Sequence, residues 1–93
     1  MNCGRHCTFD DYYHLVNVTD EYFRCLDRND VDALGTKLDL YLEVIKDFDY
    51  LVAERMRLRV KKSNGDLSLV KSIVKEEYDE LIRNVLVDVR EHN

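Results

Sequence analysis

The first residues of the chain carry a cluster of side chains with metal-binding and redox chemistry. Cys3, His6 and Cys7 lie together in the short stretch CGRHC. Thiolate sulfur and imidazole nitrogen are common zinc ligands, but a closed tetrahedral site needs four ligands. A fourth would have to come from His14, Cys25 or a partner protein. Because no CxxC or HxxxH pair follows, the three residues are weak metal candidates, and we predict neither a metal nor another cofactor.

The cysteines also bear on the redox environment of the protein. Their number, three, is odd and does not suggest a disulfide framework, which favours the reducing cytoplasm. A regulated redox pair and incidental thiols are the alternatives to a metal site in the tail. Cys25 falls in a helical pattern, and we expect it to serve as a small apolar residue at the edge of a helix. We expect residues 1–7 to form a flexible tail and residues 8–93 to form one domain.

The composition indicates a small acidic globular protein. The chain has 93 residues, of which 45% are hydrophobic and 35% are charged, and its net charge is −5. A nucleic-acid backbone attracts clustered lysine and arginine, so the excess of acids argues against a nucleic-acid partner. No apolar run approaches the roughly 18–20 residues of a membrane span, and no membrane association is expected.

Catalytic chemistry has little support in the sequence. Phosphate-binding loops of the GxGxxG or GxxxxGK[ST] type are absent, and no histidine is placed to activate one of the few serines. The adjacent acids Glu76 and Glu77 are expected on the solvated surface of a helix rather than as an acid–base pair. We therefore predict that the protein is not an enzyme.

The elements that would position any site are helices. The chain has no proline and three glycines, so few residues interrupt a helix. Thr8 and Asp11 have the spacing of a capping box, and Asn29 or Asp30 can cap the helix that comes next. The apolar face predicted for the first helix comprises Phe9, Tyr12, Val16, Thr19, Phe23 and Leu26, widened by Leu15 and Tyr22.

The second predicted helix is the longest and runs from Val31 to about Lys62. Its apolar residues cover an arc of roughly 160° at 100° per residue, which indicates contact with two neighbouring helices. Asn64–Gly65 can stop this helix in a left-handed turn, and Asp66 can cap a third helix. The expected fold class is all-α: an antiparallel three-helix bundle of about 20, 32 and 26 residues per helix, dominated by the long helical hairpin of the last two.

The unequal helix lengths predict an exposed apolar surface. At 1.5 Å per residue the first helix is roughly 30 Å long and the second roughly 48 Å, so part of the hairpin is left uncovered. An uncovered apolar face of this kind marks a partner site or the contact of a homodimer. The predicted partner-binding residues are Leu51, Leu58, Tyr78, Ile82, Leu86 and Val89.

A basic segment ends the second predicted helix. Arg55 and Arg59 fall inside the apolar arc, so their stems are expected to cover the edge of the core. Positive charge also suits the negative end of a helix dipole. A solvated helix end is therefore one interpretation, and a site for nucleic acid or another acidic partner is the other. The basic patch comprises Arg55, Arg57, Arg59, Lys61 and Lys62.

In the stretch YFRCLDRNDVDALGTKLDLYLEVIKDFDYL, an apolar helix end passes through a short acidic turn into a long helix with spaced aliphatic residues. With Asp30, Asp32 and Leu34 in the turn, this stretch resembles the start of flagellar export chaperones of the FliT and FlgN type. The closing LVKSIVKEEYDELIRNVLVDVREHN is similar to the long later helix of such chaperones, although the cysteine-containing start is not a feature of the family. The resemblance implies an exposed apolar groove that binds an amphipathic C-terminal helix of a flagellar subunit before secretion.

Two functions follow as expectations from these patterns. The first is a small helical protein-binding module, a chaperone or adaptor, that holds an amphipathic helix of another protein. The alternative is a structural or regulatory homodimer, for example a viral or accessory factor, that uses the same apolar face for self-association. A mass that depends on concentration would distinguish the second function from the first.

Overall fold

Four α-helices and one short 3-10 helix form the fold of residues 7–92, which are the residues that the computed structural model describes. α1 spans Phe9–Asp27 and α2 spans Thr36–Phe48, with the 3-10 helix Val31–Leu34 between them. α3 spans Tyr50–Lys62 and α4 spans Leu67–His92. The expected all-α class is confirmed, and no strand occurs in this range.

Two of the predicted helix boundaries are formed by local caps. The Thr8 hydroxyl accepts the N–H of Asp11 at 3.2 Å, and the Asp11 carboxylate accepts the N–H of Thr8 at 2.9 Å, which completes a capping box. Between α3 and α4, Asn64–Gly65 adopts positive φ angles of 55° and 82°. The Asp66 carboxylate then accepts the N–H of Leu69 at 3.2 Å. Both boundaries are confirmed because they depend on residues close in sequence.

The single helix predicted over residues 31–62 is not formed, so the bundle has four helices rather than three. Asp49 has an extended backbone, with φ −156° and ψ 107°. Its carboxylate accepts the N–H groups of Leu51 and Val52 at 3.0 and 3.4 Å, which starts a new helix. α3 runs back along α2, since Leu38 of α2 and Val60 of α3 line one groove. The expected long hairpin of two helices is thereby replaced by a shorter α2–α3 hairpin and by α4.

The helices run alternately up and down, and α4 closes the ring against α1. The α1–α4 pair is antiparallel, because Asp27 at the end of α1 forms an ion pair with Lys71 near the start of α4. At the opposite end of this pair, the N–H of Cys7 donates to the Asp88 carboxylate at 2.7 Å. The described residues measure 40 × 22 × 19 Å along their principal axes, as expected for helices packed side by side along the length of α4.

The inward face of α1 is rotated from the predicted face. Phe9 was expected to be buried but is 46% exposed, while Val16 and Phe23 are half-buried. Cys25, expected at a helix edge, is buried. The rotation follows from the presence of α2 on one side of α1 and α4 on the other, which centres the buried stripe between them. The buried residues of α1 are Leu15, Thr19, Tyr22, Cys25 and Leu26.

Two buried tyrosines join α1 to α2. The rings of Tyr22 and Tyr41 are stacked, with centroids 4.7 Å apart and an interplanar angle of 7°. Tyr22 donates to the carbonyl of Ala33 at 2.6 Å, and the Tyr41 and Thr19 hydroxyls share a hydrogen bond of 3.0 Å. Burial raises the pKa of both phenols above the ordinary value. Because both hydroxyls are satisfied within the core, this cluster has a structural role in the packing of α1 on α2.

Candidate functional site

The six residues predicted to bind a partner do not lie on one surface. Leu51 and Leu58 lie on α3 and are 72% and 49% exposed. On α4, Val89 is completely buried, whereas Tyr78, Ile82 and Leu86 are half-buried. Val89 is therefore a core residue and cannot contact a partner in this conformation. The prediction failed at Val89 because Val89 continues the buried stripe of Leu81 and Val85 at four-residue intervals, and the chain just before α1 reaches this end of α4.

The three half-buried residues of α4 face toward α1. Tyr78 lies close to Tyr12 and Asp20 of α1, and burial together with these neighbours raises the pKa of Tyr78 to about 12. Ile82 and Leu86 follow Tyr78 at intervals of four residues, so they lie along the same side of α4. Of these residues, Tyr12, Tyr78 and Ile82 also pack against the buried core. The α1 side of α4 is thus an apolar strip that is partly covered.

Exposed aromatic side chains of α1 border this strip. Phe9 and Tyr13 are 46% and 57% exposed. Their rings stack at a centroid distance of 6.4 Å, and Tyr13 meets Tyr12 edge to face at 5.5 Å. Because Cys7 lies beside Asp88 and Asp27 beside Lys71, the antiparallel register places Phe9 and Tyr13 level with the segment 82–88 of α4. We call Phe9, Tyr12, Tyr13, Tyr78, Ile82 and Leu86 the α1–α4 seam.

The seam has the composition of an interaction surface. Aromatic rings offer a large apolar contact area, and a tyrosine can bury its ring against a partner while its hydroxyl reaches the polar rim. Three of the six residues were predicted to bind a partner, whereas Phe9 and Tyr12 were predicted on the apolar face of the first helix and Tyr13 was in neither set. Helical periodicity did not identify Phe9, Tyr12 and Tyr13 as seam residues. An aromatic residue on the apolar side of a helix shows the same spacing whether it lies in the core or at the border of the core.

The predicted basic patch is largely neutralised by acids of α3 and α4. Arg55 donates through Nε to the Glu77 carboxylate at 2.6 Å, and Arg59 donates to Glu77 at 3.0 Å and to Glu76 at 2.8 Å. Arg57 pairs with Glu54 of its own helix at 2.7 Å. Hydrogen bonding to Glu76 is the main cause that raises the pKa of Arg59. The expectation that Glu77 is solvated is wrong, because Glu77 is buried between α3 and α4.

Two lysines complete the predicted basic patch. Lys61 and Lys62 are exposed at the end of α3, and neither forms an ion pair with any residue of the range 7–92. The arginines near these two lysines are already paired with acids. Two lysines alone provide fewer positive charges than the several phosphate contacts that a nucleic-acid-binding protein makes. The ion pairs of Arg55 and Arg59 place these two side chains in the contact between α3 and α4, an arrangement that neither sequence interpretation included.

The predicted metal ligands are only partly within the described residues. Cys3 and His6 lie outside them. Cys7 is buried and belongs to the packed domain rather than to a flexible tail. Cys25 is buried at the other end of α1, near the guanidinium of Arg28. Within residues 7–92 no group of three or more His, Cys, Asp or Glu side chains is arranged to hold a metal ion.

Two open grooves lie between α2 and α3. One has a volume of about 330 Å³ and is lined mainly by charged residues, including Asp39, Glu43 and Glu54. The other, of about 370 Å³, has an apolar floor that includes Leu38 and Val60. Both grooves are open to solvent along their length and so do not enclose a small molecule as typical ligand pockets do.

Comparison with known proteins gives no information on the function of the chain, so the functional proposal depends on the surface of the domain. No protein-family model, no curated protein and no solved structure matches the chain. Among the described helices, none is long and apolar enough to cross a membrane.

Proposed function

We propose that the chain is a small helical protein-binding module whose α1–α4 seam holds an amphipathic helix of a partner protein. The observation that supports this proposal best is the exposed pair Phe9 and Tyr13 beside the half-buried strip of Tyr78, Ile82 and Leu86. A helix laid into an apolar groove is a common mode of peptide recognition, with anchors at positions i, i+3 or i+4, and i+7.

The exposed aromatic area is large enough to anchor a helix. A buried aromatic side chain covers about 150–250 Å², and about half of Phe9 and Tyr13 is exposed. At about 25 cal/mol per Å², covering these halves contributes about 2–3 kcal/mol for each ring. Two such anchors contribute about 4–6 kcal/mol, which equals the lower end of the roughly 4–15 kcal/mol cost of association, so the net affinity must come from the half-buried residues beside them.

The proposed role agrees with the kind of activity that the resemblance to flagellar export chaperones implies. In this proposal the module acts in the cytoplasm, has no catalytic activity and binds its partner by burial of apolar surface. The α3 face, with Leu51 and Leu58, takes no part in this binding, which provides an internal control.

The experiment that tests the proposal is affinity capture followed by mapping with matched variants. Proteins captured from a lysate of the native cells are identified, and a synthetic peptide that spans the amphipathic helix of the dominant partner is titrated against the purified chain. We expect Phe9→Ala combined with Tyr13→Ala to weaken peptide binding by at least tenfold, since about 1.4 kcal/mol corresponds to that factor. Leu51→Ala combined with Leu58→Ala should leave the affinity unchanged. Equal losses in both double variants would contradict the proposal.

Self-association through the same seam is the alternative function. A second copy that covers Phe9 and Tyr13 would make the mass of the protein depend on its concentration, and the seam variant would then be monomeric. The protein-binding module is favoured if a peptide partner has been identified and if wild type and seam variant have the same mass at every concentration.

A further inference from the structure

The turn between α2 and α3 consists of a single residue. Asp49 is the one residue outside helical conformation between Phe48 and Tyr50. Its N–H still donates to the carbonyl of Ile45 at 2.9 Å, and its carbonyl accepts the N–H of Ala53 at 3.2 Å. The helical hydrogen-bond ladder therefore reaches Asp49 from both sides, and only the bonds that cross this residue are missing.

The carboxylate of Asp49 stabilises the turn between α2 and α3. In a continuous helix the N–H groups of residues 50–52 would donate to the carbonyls of residues 46–48. Here two of these groups, from Leu51 and Val52, donate to the Asp49 side chain instead. Straightening the turn would exchange these two cap bonds for three backbone bonds, so the local difference between bent and straight forms is small.

The buried residues of α2 and α3 would form one continuous stripe in a straight helix. Ile45, Phe48, Val52 and Met56 are buried and follow one another at intervals of three or four residues. In a helix continuous over residues 36–62 they therefore keep a single apolar face across residue 49. Such a helix would be about 40 Å long, which matches the length of α4.

We propose that Asp49 is a hinge through which two copies of this chain exchange their α3–α4 halves. In the exchanged dimer, α2 and α3 form one continuous helix, and α3–α4 of each copy packs on α1–α2 of the other. The contacts between halves, such as the Lys71–Asp27 ion pair, are remade between chains, while Arg55 and Glu77 stay within one half. Short hinge segments favour this kind of exchange, because a straight hinge keeps every core contact and adds a new one at the hinge itself. The exposed Tyr50 and Leu51 lie at that new contact.

This inference does not depend on the proposed function, because the α1–α4 seam is rebuilt in each half of an exchanged dimer. The two dimer types also separate by mutation. A dimer formed through the seam is sensitive to Phe9 and Tyr13, whereas an exchanged dimer is sensitive to the residues of the hinge.

The test compares wild type with two hinge variants after refolding at high protein concentration, with the mass measured by light scattering during gel filtration. Asp49→Leu removes the cap and favours a straight helix. Tyr50→Pro suits the first position of α3 and its missing N–H, keeps Asp49 extended and blocks a continuous helix. We expect wild type to yield a dimer fraction, Asp49→Leu to raise the dimer-to-monomer ratio at least about fivefold, the factor that corresponds to loss of one helix cap, and Tyr50→Pro to be monomeric.

A cross-link between the halves shows whether the dimer is exchanged. Asp27→Cys and Lys71→Cys are combined in a chain whose native cysteines are changed to alanine, and the dimer fraction is treated with a bifunctional maleimide whose spacer replaces the length of the Lys71 side chain. Covalent dimers on a denaturing gel support the exchange. The proposal is overturned if wild type and Asp49→Leu both stay monomeric, if Tyr50→Pro dimerises as wild type does, or if the cross-linked dimer separates into single chains.

Discussion

Replacing Glu77 by glutamine tests whether the α3–α4 ion pairs stabilise the bundle. The Glu77 side chain is 6% exposed, and it binds Arg55 at 2.6 Å and Arg59 at 3.0 Å. Glu77→Gln keeps the shape of the side chain but removes the charge that both guanidiniums share. The two arginines would then lie at the edge of the core without their common partner.

The expected loss lies between the limits for buried and exposed pairs. Breaking a fully buried pair costs about 3–5 kcal/mol, whereas an exposed pair contributes about 0–1 kcal/mol. Arg55 and Arg59 are 48% and 39% exposed and so remain partly hydrated. We therefore expect Glu77→Gln to lower the free energy of unfolding by about 2 kcal/mol and Tm by about 10 °C, as domains of this size lose about 4–8 °C per kcal/mol.

Urea unfolding followed by circular dichroism measures this loss, and Glu80→Gln is the matched control. Glu80 lies on the same helix, is 60% exposed, and approaches Arg55 only to 3.8 Å. We expect the control to lose less than about 0.5 kcal/mol. If the two variants were equally stable, the burial of Glu77 would have no energetic consequence, and the reasoning from burial and geometry would be refuted.

Three further predictions concern the core, the first cap and the titration of a tyrosine. Val89→Ala should lower the free energy of unfolding by about 2 kcal/mol because Val89 is completely buried; a loss below about 0.5 kcal/mol would place it on the surface, as first predicted. Thr8→Ala should lower it by about 1 kcal/mol through loss of the capping box, measurable in the same urea titration. The pKa of Tyr78 is raised from 10.0 to about 12, so the folded state keeps a proton that the unfolded state loses. Stability should therefore fall as pH rises from 10 to 12, and Tyr78→Phe should reduce that slope; an unchanged slope would contradict the assignment.

The position of the seam changes which variants are informative. Charged substitutions at Ile82 and Leu86 affect side chains that are half-buried, so they combine effects on binding with effects on packing. Phe9 and Tyr13 are more exposed than these two residues and can be truncated with less effect on the core. The aromatic residues of α1 are for this reason the better probes of partner binding.

Local chemistry was predictable from the sequence where it depends on neighbouring residues. The capping box at Thr8 and the left-handed turn at Asn64–Gly65 each involve side chains and backbone groups a few residues apart. Tyr78, Ile82 and Leu86 of α4 were predicted as partner-binding residues, and the structure places all three half-buried on the side of α4 next to α1. The exact rotation of α1 was not, because it depends on which helices lie on its two sides.

The sequence by itself determined that the described chain is helical, where α1 begins and where α4 follows α3. The absence of proline, the apolar periodicity and the caps are sufficient for that. Only the tertiary structure decided that Asp49 turns the chain and that Glu77 is buried between two arginines. An aspartate is compatible with both a helix interior and a helix cap, and an acid–base contact between α3 and α4 depends on how the helices pack. The local free-energy difference at Asp49 is small, so within a single chain the burial of Val52 and Met56 in a shared core selects the folded-back arrangement.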